Sequence, residues 1–257
     1  MQDIHNIKDT RNIGIDYIGI DEVKIPISFV SKETYATVAT IDAGVSLNKE
    51  EKGAHLSRIV EVLNDEIAEK EFSIKDLDKL LEKLSNRVEA ENILVNIKFP
   101  AMINSLSPIT NKKTYIDTLI NLKAFRKENN TNKEIEVSIN GAMCCPSSKS
   151  ISKYGAHSQR CLLKVTLEGN INNVKIEDIV KSMESSFSAP VSQIVKREDE
   201  KYLTETAYEN PKFSEDLIRD VLIRLSNEYD DLSIEAESTN FESIHSHNVK
   251  AKGRIKR

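Results

Sequence analysis

Tryptophan is absent from this chain of 257 residues, and aromatic residues together make up only 5% of it. Neither a core nor a base-stacking surface can lean heavily on aromatic rings. An excess of positive charge is also missing: 36 Lys and Arg stand against 41 Asp and Glu, a formal net charge of −5. A surface that tracks a phosphate backbone needs a cationic excess, so nucleic acid is not the expected partner. A small phosphorylated ligand needs only a local cationic pocket. No apolar run reaches membrane-spanning length. The segment Met1-Gln2-Asp3-Ile4-His5 has neither the basic region nor the apolar stretch of a signal peptide, so no membrane partner is expected. Cysteine is scarce as well. The three present cannot all pair, and Cys144 and Cys145 are adjacent, which points to a reducing, cytoplasmic setting.

What the chain does have is the composition of a soluble globular protein, 39% hydrophobic and 30% charged, and enough length for one large domain or two modest ones. Alternation marks strands at Tyr35, Thr37, Ala39, Ile41, Ala43 and Val45, and again at Ile93, Val95, Ile97 and Phe99. It recurs over Ile116–Leu122, Ile135–Ile139 and Cys161–Leu167. Helical spacing links Leu56, Ile59, Val60, Leu63 and Ile67. A second stripe runs through Ile74, Leu77, Leu81, Leu84 and Val88 behind a capping signal at Ser73 and Asp76. Asn210-Pro211 opens a further helix with Phe213, Leu217, Ile218, Val221, Leu222 and Leu225 on its apolar face. The first half reads strand, strand, helix, helix, strand, strand. The order repeats from about residue 134: strands near 134–145 and 158–168, helices near 176–189 and 210–227, strands near 231–244 and 247–256. The expected architecture is α+β with two tandem ββααββ-like units, residues 1–130 and 131–257. The natural junction is the polar stretch Lys127–Lys133 with Asn129, Asn130, Thr131 and Asn132.

The chemistry gathers around Cys144-Cys145-Pro146-Ser147-Ser148-Lys149 and Tyr154-Gly155-Ala156-His157. Thiolate and imidazole are the ligands that zinc or ferrous iron prefers. His245 and His247 lie near a strand end at a spacing that puts both on one face if the strand is regular. Glu200 sits in a charged run, and Glu215 in the first turns of the helix after Pro211. A Cys/His/Glu set leaves a metal with an open position for water, the requirement of catalysis rather than structure. Taken singly, each has a plainer reading. A cysteine on a strand is more often a small buried residue, which is the reading for Cys161. The 196–201 run is an ordinary solvated helix start or loop, and Glu215 a carboxylate favoured by a helix dipole.

Over nearly its whole length the chain resembles the type IB GTP cyclohydrolases. The matching stretches, in order, are Asp9-Thr10-Arg11-Asn12-Ile13, Lys52-Gly53-Ala54-His55-Leu56-Ser57-Arg58, Cys145-Pro146 with Lys149, Tyr154-Gly155-Ala156-His157 with Gln159-Arg160, Lys196-Arg197 with Asp199-Glu200-Lys201, Asn210-Pro211-Lys212-Phe213 with Glu215-Asp216, and Phe241-Glu242-Ser243-Ile244-His245 with His247. The resemblance implies a tunnelling fold with antiparallel sheets and helices on one face. It also implies a homo-oligomer, dimer or tetramer, with active sites between subunits. One divalent metal (Zn, Mn or Fe) would be held by Cys145, His157 and Glu200, with His245 ligating it or beside it. Cys145, Glu200 and His245 would serve catalysis, and His245 is the candidate proton carrier. Glu215 would accept bonds from the guanine edge. His55, Ser57, Arg58, Lys149, Gln159 and Arg160 are candidates for ribose or triphosphate contacts.

The family's reaction opens the guanine imidazole ring of GTP, releases formate and recloses the ribose carbons as 7,8-dihydroneopterin triphosphate, the first step of folate biosynthesis. Ser147 stands where the family usually has a second cysteine, Ser158 where it has Asn, Gly14 where it has Pro and Leu56 where Met is common. Two further readings stay open beside this one. One is the archaeal-type relative that yields a cyclic phosphate. The other is a non-catalytic pterin- or nucleotide-binding protein that has lost its metal, which Ser147 favours and the joint presence of Cys145, His157, Glu200 and His245 disfavours.

Overall fold

The structure, a computed structural model, describes residues 8–127 and 130–256. The amino-terminal reading on Met1–His5 and the junction residue Asn129 lie outside these. Among the described residues nine strands and six α-helices follow one another. They are β1 (Ile15–Val30), β2 (Thr34–Leu47), α1 (Leu56–Glu66), β3 (Glu71–Phe72), α2 (Leu77–Val88), β4 (Asn92–Leu106), β5 (Lys113–Lys127) and β6 (Asn130–Cys144). After them come α3 (Pro146–Ile151), β7 (Ser158–Glu168), α4 (Ile176–Glu184), α5 (Arg197–Glu209), α6 (Ser214–Glu228), β8 (Ser233–Asn240) and β9 (Val249–Ile255). The hydrogen-bonded strand order is β3-β1-β2-β4-β5-β6-β7-β8-β9. Of the polar junction stretch, Lys127 ends β5 and residues 130–133 begin β6. Among the described residues no helix is long and apolar enough to cross a membrane.

The chain divides into two compact units whose pieces alternate along the sequence. One comprises Met1–Pro100, Asn121–Ile135 and Asn170–Val174; the other comprises Ala101–Ile120, Glu136–Gly169 and Lys175–Arg257.

In the first unit, antiparallel pairing sets Ile41 opposite Val23 of β1 and Ile97 of β4, and Val45 opposite Ile18 and Ile93. Period-2 alternation sends Ile25, Ile27 and Phe29, Ile41, Ala43 and Val45, and Ile93, Val95 and Ile97 to one buried face. α1 and α2 cover the unit's core with Ile59, Leu63, Leu77, Leu81 and Leu84, all buried. Each such side chain contributes about 1.5–3 kcal/mol. The expected capping signal forms: the Ser73 amide and hydroxyl donate to Asp76 Oδ2 at 2.8 and 2.6 Å and start the turn that leads into α2. Lys133 is buried beneath it and donates to Asp78 Oδ2 at 2.6 Å and Asn172 Oδ1 at 2.7 Å.

In the second unit β7 pairs with β8, Cys161 opposite Asn240 and Leu167 opposite Ile234, and β8 pairs with β9. α4 and α6 bury Ile176, Ile179 and Met183, and Leu217, Val221 and Leu225. α5 joins them although no apolar stripe marks it in the sequence. It buries only Asp199 and Ala207, so its periodicity is carried by a polar residue.

The segment leading out of α4 crosses the end of β6, where Ala142 and Ala189 exchange backbone hydrogen bonds of 2.9 and 3.3 Å. Gly141 makes room for the crossing, since a Cβ there would overlap the ring of buried Phe187. Gly141→Ala should therefore destabilise the protein by about 1–3 kcal/mol through overpacking. An unchanged urea midpoint would contradict that packing.

A cysteine–histidine candidate site

The end of β6 is clamped from three sides. The Cys144 amide donates to Ser188 Oγ at 3.1 Å, its carbonyl accepts from the Lys212 amide at 3.0 Å, and the Cys145 amide donates to the His157 carbonyl at 3.1 Å. Strand alternation then turns the two thiols apart. Cys144 is 3% exposed in a small core with Ala189 and Ala207, and burial pushes its thiol pKa up. Cys145 is half-buried and N-caps α3, its Sγ accepting from the Ser148 amide at 3.4 Å. Ser148 completes the corner: its hydroxyl donates to the Cys145 carbonyl at 3.2 Å and accepts from the His157 amide at 3.2 Å. Gly155, at φ +123°, turns the chain between α3 and His157 in a conformation that favours glycine.

His157 enters β7, and the exit of β8 folds back beside it. The Phe241 amide donates to the Arg160 carbonyl at 3.0 Å, which places Glu242 and Ser243 against Gln159 and His157. His157 Nδ1 lies 2.9 Å from Gln159 Oε1, 3.4 Å from Ser243 Oγ and 4.0 Å from Glu242 Oε2, with the His157 and Glu242 side chains 13% and 8% exposed. Gln159 Nε2 donates to Glu242 Oε1 at 3.3 Å. Glu242 lies in the matching stretch Phe241–His245, but its sequence context alone gives it no role. A carboxylate past a strand end reads as solvated, and only the β7–β8 register reveals its burial.

The other expected site residues are distributed as follows. Glu200 is exposed on the first turn of α5, beside fully buried Asp199. Glu215 is exposed on the first turn of α6, whose Ser214 hydroxyl accepts from buried Asn240 Nδ2 at 2.8 Å. His245 and His247 lie in the loop between β8 and β9 rather than on a strand. Their exposed rings stack with centroids 5.1 Å apart, because the chain bends after Asn240. Lys149 donates from Nζ to the Tyr208 carbonyl at 2.5 Å and sits 4.3 Å above the Tyr208 ring, a cation at the carboxyl end of α5. Arg160 is exposed.

In the first unit His55 precedes α1 and lines, with Arg58, a cavity of about 480 Å³. Glu50, Glu51 and Glu89 share that cavity with Lys8. Arg58 approaches Glu89 Oε1 at 3.8 Å. Ser57 is exposed in the first turn of α1.

Of the expected ligands, Cys145 and His157 are joined through their backbones, by the hydrogen bond from the Cys145 amide to the His157 carbonyl. Among the described residues no three His, Cys, Asp or Glu side chains are gathered closely enough to hold a metal ion.

The fold itself is that of the tunnelling-fold enzymes. Solved uricases from Arthrobacter globiformis (TM-score 0.56, 8% identity, 95% of this chain and 94% of that one) and Bacillus fastidious (TM-score 0.57, 9% identity, 96% and 94%) share it. Sequence likeness is narrower. The family model described as type I GTP cyclohydrolase folE2 matches residues 1–251. The GTP cyclohydrolase FolE2 of Methylobacillus flagellatus is 37% identical over 254 residues, 98% of this chain and 94% of the relative. That of Fervidobacterium nodosum is 37% identical over 256 residues, 98% and 96%. The chain belongs to the type I GTP cyclohydrolase FolE2 family.

Proposed function

We propose that this protein hydrolyses GTP to 7,8-dihydroneopterin triphosphate and formate, as a type IB GTP cyclohydrolase at the entry to folate biosynthesis, in the cytoplasm. The observation that carries the reading is the backbone hydrogen bond that ties Cys145 to His157 beside β7, on a chain of this family. Their donor types suit zinc, iron or manganese, and Glu200 and His245 would complete the set. A divalent metal so held supplies Lewis-acid activation of water. The protein's own side chains do the rest. Glu215 accepts from the N–H donors of the guanine edge and fixes the purine. His245, exposed on its loop, carries protons between the reacting purine and solvent. His55, Ser57, Arg58, Lys149, Gln159 and Arg160 are the candidates for ribose and triphosphate contacts, in active sites between the subunits of a homo-oligomer.

The test is to incubate metal-stripped protein with GTP and Mn²⁺, Fe²⁺ or Zn²⁺ and to follow formate and the fluorescence of the oxidised pterin. Stoichiometric formate with a triphosphorylated pterin is expected. GTP binding without turnover in any metal would overturn the enzymatic reading, and a cyclic phosphate product would overturn the type IB one.

A further inference from the structure

The contacts around His157 form a chain with a direction. Glu242 is a carboxylate, and a carboxylate only accepts hydrogen bonds. The edge of Gln159 that faces it at 3.3 Å must therefore be the NH₂ edge. That leaves the Gln159 carbonyl facing His157 Nδ1 at 2.9 Å, and a carbonyl also only accepts. The proton of the neutral imidazole must then sit on Nδ1, and the lone pair on Nε2. Ser243 Oγ, 3.4 Å from Nδ1, can accept from the same N–H. The His157 and Glu242 side chains are shielded, and the hydrogen bond from the Phe241 amide to the Arg160 carbonyl holds the two segments side by side.

From this geometry we infer that Gln159 and Glu242 are positioning residues that lock His157 in the Nδ1–H tautomer and leave Nε2 free to bind a metal. Gln159 thereby acts through the histidine rather than on the substrate. The carboxylate at 242 writes the polarity, the amide at 159 transmits it, and the imidazole reads it. Partners of this kind on a metal-bound histidine alter metal affinity by about 10–100-fold. The inference rests on the proposed metal site, but the tautomer exists without metal and can be read without it.

The experiment uses the full-length protein with ¹⁵N-labelled histidine, free of metal, about two pH units above the ordinary histidine value of 6.5. Long-range ¹H–¹⁵N correlation should show His157 as the Nδ1–H tautomer. Gln159→Leu and Glu242→Gln should each give a mixture of tautomers and weaken Mn²⁺ or Zn²⁺ binding by about 10–100-fold. The exchanged pair Gln159→Glu with Glu242→Gln keeps an acceptor at 159 facing Nδ1 and reverses the 159–242 hydrogen bond, so it should recover the single tautomer and most of the affinity. A Nε2–H tautomer in the wild type, or an unchanged tautomer in both single variants, overturns the inference, even if metal binding falls. If the wild type shows the Nδ1–H form yet binds no divalent metal, the metal reading fails and the relay stands.

Discussion

Cys145→Ala should cost the protein its metal and its turnover together, whereas Cys144→Ala should cost neither. The two residues are neighbours, so the contrast isolates the direction in which each side chain points. Cys145 Sγ lies at the head of α3 and accepts from the Ser148 amide, while the Cys145 amide is tied to the His157 carbonyl. Cys144 is sealed in a small core with Ala189 and Ala207, and burial pushes its thiol pKa up. Loss of a ligand removes the several kcal/mol of charge stabilisation that a metal provides, a fall on the order of 10³-fold or more in formate release. The Cys144 variant removes one buried sulfur and should lower stability modestly while retaining full metal occupancy by elemental analysis. A Cys145→Ala protein with wild-type metal content would refute the ligand assignment outright.

The second large effect is expected at Asp199, which reads in the sequence as one more charge in a solvated run. In the folded protein it is fully buried. Its carboxylate accepts from the Ile109 amide at 2.9 Å, the Thr110 amide at 2.9 Å and hydroxyl at 2.6 Å, and the Lys196 amide at 3.0 Å. One side chain thus caps α5 and ties down the turn between β4 and β5. Burial pushes its pKa upward, and the hydrogen bonds from Thr110, Lys196 and Ile109 more than offset this, holding it well below the usual carboxylate range.

The sign of the pH dependence follows. A carboxyl whose pKa is depressed by folding stabilises the native state above the unfolded value, about 3.9, and loses that contribution as pH falls toward the folded value. Wild-type stability should therefore be flat in this respect above about pH 5 and decline below about pH 4. Asp199→Asn turns an acceptor into a donor facing amides. It should lower the melting temperature at pH 7 by on the order of 5 °C and flatten the acid limb. Denaturant titrations of both proteins across that range decide the matter; parallel acid limbs would show that Asp199 is not the group concerned. Since Glu200 follows it on the same helical turn, weaker metal binding should accompany the loss.

These two residues mark where the sequence could and could not be read. Strands such as β2 and β7 and helices such as α1 and α2 were legible because one face is apolar throughout and the period survives in the residue types. α5 escaped because its buried positions are an aspartate and an alanine. The pair Cys145 and His157 could be proposed from spacing and family likeness. What clamps them could not, because that work is done by the Ser188 hydroxyl, the Lys212 amide and the His157 carbonyl, which reach the end of β6 from distant parts of the chain or through the backbone. The loop position of His245 and His247 was missed for a related reason: an i, i+2 pair of histidines looks the same whether the chain runs straight or bends. Glu242 and Gln159 acquire their roles only from cross-strand register, a relation between residues far apart in the chain.

The crossing of Ala189 over Ala142 also limits how the chain can vary in length. Below that crossing β6 is pinned, and consecutive side chains leave it on opposite sides. One residue inserted or deleted between Ala142 and Cys145 would exchange the two sulfurs, carrying that of Cys145 into the core and that of Cys144 out of it. Only changes of two residues preserve the arrangement, so the segment has a parity that sequences descended from it must keep.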